Sequence, residues 1–240
     1  MAQVDFAERQ LTLKLVYYGP ALSGKTSNLR ALHGQVDKLN RGRLMTLDTR
    51  DDRTLFFDLL PIFFTASATG TQAAGAAAGF SFRIKVYTVP GQPVHEATRK
   101  VVLKGADGVV FVADSGEGQR DANRAAWQSL TANLALLGLD RLPIVVQYNK
   151  RDLPNVRPVS ELERFGDPAR VLEEARAKDG VGVMETFLRL VGAAWDSADR
   201  DLRLHERLGI DGAAFQRAVQ DHCAAAPEME GAGGRGRPGA

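Results

Sequence analysis

Cysteine is almost missing from this chain: Cys223 is the single one in 240 residues. That excludes an internal disulfide and suits a reducing cytosol. No apolar run reaches the roughly 18 residues that span a bilayer, and no secretory signal is visible. Ala2 stands where N-myristoylation requires glycine, and Cys223 lies too far from the C-terminus for prenylation, so no direct membrane anchor is expected. An excess of either charge is missing as well. The formal net charge is +2 and the isoelectric point about 8.8, which builds no field for nucleic acid or a lipid surface. What remains is 44% hydrophobic residues, enough for one sizeable core.

Against that plain background one stretch carries chemistry. Gly19-Pro20-Ala21-Leu22-Ser23-Gly24-Lys25-Thr26 fits the phosphate-loop pattern G-x-x-x-x-G-K-[ST]. Leu11 to Tyr18 reads as a buried strand before it, and Ser27 to Val36 as a helix after it. Backbone N–H groups of such a loop cradle a nucleotide's phosphates at the helix N-terminus. Lys25 would bridge the β and γ phosphates and the Thr26 hydroxyl would ligate Mg²⁺. A glycine-rich turn that meets the pattern by chance is the bland alternative, and the flanking strand and helix argue against it.

A second motif selects the base. Asn149-Lys150-Arg151-Asp152 follows the apolar run 142–148, placing N-K-x-D at a strand end. An ionised Asp152 offers only acceptors. Guanine presents two adjacent donors, N1–H and the N2 amino group, and adenine does not. A carboxylate left unpaired against adenine discriminates strongly. Asn149 and the Lys150 stem would hold the loop and cover the base. A solvated polar turn is the alternative for this tetrapeptide alone. Between the two motifs, 82–89 alternates like a strand and ends in Pro90-Gly91-Gln92. Gly91 could give its N–H to a γ-phosphate at close range, and Gln92 could orient an attacking water.

Five stretches extend the pattern: Val16-Tyr17-Tyr18-Gly19-Pro20, Asp52 to Asp58, Tyr87 to Gln92, Leu103 to Ser115 and Gln147 to Pro154. Together they resemble a Ras-like small GTPase, specifically the bacterial MglA family of gliding and cell-polarity GTPases, over about residues 10–196. The resemblance implies a P-loop NTPase using GTP/GDP and Mg²⁺. It gives Thr54 the role of the switch threonine that ligates Mg²⁺, and Arg53 that of a built-in arginine finger; a solvated surface arginine is the alternative. It sets Ala177 and Lys178 in the loop that covers guanine, with Arg176 departing from the usual serine. Thr88 stands where most small GTPases carry an aspartate, which implies a weaker metal site. The expected partners are a Roadblock-type, MglB-like GTPase-activating protein and downstream effectors, with recruitment to a cell pole through partners.

The fold class expected is α/β, a Ras-like G domain with a mostly parallel central sheet and helices on both faces. Strands are read near 11–18, 43–47, 80–89, 107–114 and 142–148, and helices near 25–37, 94–104, 118–137 and 182–195. Residues 170–177 read as helix by propensity but as the last sheet strand by the family register, which is followed here. Residues 1–196 are assigned to the G domain, with a Gly/Ala-rich insertion at 65–79. That insertion is either a tolerated surface loop or a determinant of partner choice. Residues 197–226 read as amphipathic helices in which Leu202, Leu204, Leu208, Phe215 and Val219 form a packing face. That face either folds back onto the domain or binds a partner. The tail 227–240 is glycine-rich and expected to be disordered. The expected function is a GTP-hydrolysing switch controlling gliding motility or polarity, slow without an activator. The alternative is a guanine-nucleotide-binding module with little hydrolysis, acting on another polar process. A small-molecule kinase would leave N-K-x-D and P-G-Q without a job.

Overall fold

The computed structural model describes residues 2–47, 57–66, 79–167 and 169–223. Its centre is an eight-stranded sheet. In chain order the strands are β1 (Gln3–Asp5), β2 (Gln10–Tyr18), β3 (Met45–Leu47), β4 (Phe57–Ala66), β5 (Phe80–Thr88), β6 (Gly108–Asp114), β7 (Ile144–Asn149) and β8 (Leu172–Glu174). Across the sheet they run β3-β4-β5-β2-β6-β7-β8, with β1 pairing β2 from outside this path. β5, β2, β6, β7 and β8 are mutually parallel, whereas β3, β4 and β1 pair antiparallel. The helices are α1 (Lys25–Gln35), α2 (Glu96–Leu103), α3 (Arg120–Leu136), α4 (Val183–Leu202), α5 (Leu204–Leu208) and α6 (Gly212–Cys223).

Alternation along the parallel strands divides the core between the two faces. Leu11, Leu13, Leu15 and Tyr17 of β2 share a cluster with α1, α4 and α6. Val16 and Tyr18, one residue out of phase, share the other with α2 and α3. The strand ends therefore meet the loops after Tyr18, Thr88, Asp114 and Asn149 along one edge, where ligands of open α/β sheets bind.

Besides β1, which is not among the expected strands, two elements differ from the sequence reading. β4 is a ten-residue strand, Phe57–Ala66, absent from the expected set. Its run Phe56-Phe57-Asp58-Leu59-Leu60-Pro61-Ile62-Phe63-Phe64 shows no apolar alternation, and a proline inside a run argues against a strand. The fold resolves this by register: the Pro61 carbonyl accepts from the Gly42 N–H. The missing N–H therefore lies on the outer side, not in the ladder to β5. Secondly, 170–177 does supply the last strand, but only Leu172–Glu174 pair with β7. Helix α4 runs on from 195 to Leu202. α5 and α6 then fold back, so that Leu204, Phe215 and Val219 are wholly buried. Phe215 stacks on Trp195 with ring centroids 4.2 Å apart and contacts Phe64 of β4 at 5.6 Å.

Candidate functional site

The site begins where β2 hands over to α1. Gly24 caps the helix with φ 97, and a Cβ there would stand 2.1 Å from Asn149 Nδ2. Both the left-handed backbone and the close approach therefore require glycine. The N-terminus of α1 opens into a cleft of about 370 Å³ that Leu22, Lys25, Thr26, Ser27, Thr88 and Gly91 help to line. Lys25 Nζ donates to the carbonyls of Gly19, at 3.0 Å, and Pro20, at 2.6 Å. Burial, and secondarily the Arg99 guanidinium, pull the Lys25 ammonium down to about 7. An anion in the cleft would reverse that, because it favours the charged amine.

The second loop is tied to the first through one side chain. Asn149 Nδ2 donates to the Ser23 carbonyl at 2.8 Å, and its Oδ1 accepts the Ala177 N–H at 2.9 Å. The amide is 2% exposed, so both bonds are shielded from water. Lys150 holds the left-handed turn, φ 67, with Nζ 2.7 Å from Asp114 Oδ2. Lys178 Nζ lies 3.3 Å from Asp152 Oδ2. Slight burial pushes the Asp152 carboxyl upward, but its backbone N–H and Lys178 outweigh this and hold it below the usual range. The group is thus an ionised double acceptor at neutral pH. Arg176 pairs by backbone with Val181, which forms the turn presenting Ala177 and Lys178.

The third motif closes the cleft from β5. A Cβ on Gly91 would fall 2.4 Å from Ala21 Cα, so P-G-Q presses directly on the phosphate loop. Gln92 follows, exposed to solvent. Arg53 and Thr54 lie outside the described residues.

Sequence reading missed two side chains here. Arg99 of α2, 4% exposed, donates to the carbonyls of Pro90, Gly91 and Gln92 at 3.1, 3.3 and 2.6 Å. It holds the whole turn. The available signal was an arginine on the helical face that carries Val102 and Leu103. Asp58 of β4 accepts the Thr26 hydroxyl at 2.7 Å. Its signal was a carboxylate in phase with Leu60, Ile62 and Phe64.

The comparisons agree with this geometry. The chain is 43% identical over 190 residues to the mutual gliding-motility protein MglA of Myxococcus xanthus (strain DK1622), covering 78% of this chain and 92% of that protein. The chain belongs to the MglA family. No protein-family model matches it. MglA membership makes the chain a Ras-like small GTPase, a switch of gliding motility. Among the described residues of this MglA relative, no helix is long and apolar enough to cross a membrane.

Proposed function

We propose that the cleft binds GTP with Mg²⁺ and hydrolyses it slowly, and that the bound state sets the two switch segments. The Asn149 bridge carries this reading. One buried amide fixes the phosphate loop relative to the turn that carries Ala177 and Lys178, as a ligand spanning both needs. Residues Gly19 to Ser27 hold the phosphates, Asp152 accepts from guanine, and Ala177 and Lys178 cover its edge. The residues present also fit Mg²⁺. Thr26 offers a hydroxyl oxygen, and among the described residues no three or more His, Cys, Asp or Glu are grouped so that they could hold a metal ion by themselves. A metal here would draw most of its oxygens from phosphate and water and few from side chains, as Mg²⁺ does. When bound, it neutralises phosphate charge.

Hydrolysis then depends on this chain's own groups. Gln92 orients the attacking water while Arg99 fixes its backbone. Lys25, recharged by the phosphates, stabilises charge on the oxygens, and Arg53 adds a second cation. Thr54 and Gly91 sense the γ-phosphate, and their release after hydrolysis resets the switch. A Roadblock-type, MglB-like activator aligns Gln92 and Arg53, and partners recruit the GTP form to a cell pole. The test is GTP turnover by the purified protein, alone and with its Roadblock-type partner, against Gln92→Ala and Arg53→Ala. Stimulated turnover that both substitutions abolish is expected. Tight GTP binding without turnover under any condition would contradict the hydrolytic half of the reading.

A further inference from the structure

Thr88 closes β5 at the cleft, where a hydroxyl replaces a carboxylate, and a hydroxyl brings no charge to a divalent cation. A carboxylate stands beside it on the neighbouring strand. The antiparallel register of β4 on β5 sets Leu59 opposite Tyr87, which brings Asp58 alongside Thr88. The Asp58 N–H donates to Thr88 Oγ1 at 2.9 Å, and Thr88 Oγ1 donates back to Asp58 Oδ2 at 3.1 Å. Oδ2 also accepts from Thr26 Oγ1 at 2.7 Å, and Oδ1 from Thr46 Oγ1 at 2.8 Å. Asp58 is 6% exposed. Among the described residues, no lysine, arginine or histidine forms an ion pair with it.

Among the described residues this buried carboxylate meets only hydroxyls, and neutral donors do not replace a counter-charge. Its position supplies one. The Thr26 hydroxyl spends its proton on Asp58 and keeps its lone pairs for a cation in the cleft. Mg²⁺ is a hard ion that keeps several waters and is commonly bound through one or two carboxylates plus phosphate oxygens. We infer that Asp58, positioned by Thr46 and Thr88, is the carboxylate that holds the Mg²⁺ and its water shell in this chain. This rests on the cleft being the guanine-nucleotide site.

The location of the carboxylate has a consequence. Asp58 lies at the start of β4, the strand that leads directly out of segment 48–56, and Thr46 lies on β3, which leads into it. Metal loading and placement of the β3–β4 pair are therefore one event. A carboxylate at position 88 would sit on the strand between β4 and β2 and would leave that pair uncoupled.

Release of fluorescent GDP, followed while Mg²⁺ is titrated, tests the inference. In the wild-type chain Mg²⁺ slows release. In Asp58→Asn the half-effective Mg²⁺ concentration is expected to rise at least tenfold, and in Asp58→Asn/Thr88→Asp to fall back toward wild type. A lowered melting temperature with an unchanged Mg²⁺ half-point would mean a purely structural aspartate and would overturn the proposal. A second measurement needs no variant. With GDP saturating, amide exchange at 45–47 and 57–60 should be slower in Mg²⁺ than in EDTA, and equal exchange overturns the coupling. Failure of the wild-type chain to bind GDP in either condition would overturn the nucleotide reading along with this one, whereas GDP binding indifferent to Asp58 overturns this one alone.

Discussion

Lys25 shows how far one buried charge depends on its ligand. Its amine falls from 10.5 to about 7 in the folded, ligand-free protein, first through burial and then through Arg99. Between those values the unfolded chain holds a proton that the folded chain lacks, so stability rises with pH across that window. Phosphate oxygens restore the charge and cancel the effect. GDP binding at about pH 8.5 should therefore take up close to one proton. Calorimetry in buffers of differing ionisation enthalpy measures this, and Lys25→Met should abolish it. Asn149 is the other residue on which the site turns. Asn149→Ala strands a buried carbonyl at Ser23 and a buried N–H at Ala177, each worth roughly 1–3 kcal/mol when left unpaired. GDP affinity should fall at least about tenfold by equilibrium titration.

At the scale of elements, the turn after β5 and the helix that follows it behave as one piece because Arg99 binds three successive carbonyls. Arg99→Ala should lower partner-stimulated GTP turnover by about tenfold or more while GDP affinity changes by less than about threefold, since P-G-Q loosens but Asn149 does not. Helix α6 makes a different contribution. It lays Phe215 between Trp195 and the ring of Phe64 of β4. Phe215→Ala should cost about 3–5 kcal/mol in denaturant unfolding. β2, β6 and β7 were legible because each is a short apolar run bounded by turn residues, as in Leu11 to Tyr18, and β5 because it alternates. Leu172–Glu174 of β8 carries no apolar run and was found only through the family register. β4 was not legible, because Pro61 and the doubled phenylalanines hide its alternation, and only pairing with Gly42 shows where the absent N–H points.

For the whole molecule, the segment between β4 and β5 joins two antiparallel strands whose ends, Ala66 and Phe80, are already paired. Replacing 67–78 with a short glycine-containing turn should leave the fold intact and change stability by about 1 kcal/mol or less, since closure entropy varies slowly with loop length. Unchanged binding of the Roadblock-type partner would rule the insertion out as a determinant of partner choice. The site was legible as far as its chemistry is written in local motifs. Gly19 to Thr26, Asn149 to Asp152 and Gly91 each announce themselves within a few residues. Arg99 and Asp58 do not, because their roles arise only when α2 folds over the P-G-Q turn and β4 pairs with β5. The account stands on guanine recognition through Asp152. Competition of GDP and ADP for the cleft, in wild type and Asp152→Asn, tests it most directly. GDP should win by about 10⁴-fold or more, a margin that a site built to accept guanine's two N–H donors can supply, and the substitution should erase most of it. Equal competition by ADP, or a margin untouched by Asp152→Asn, would contradict the account.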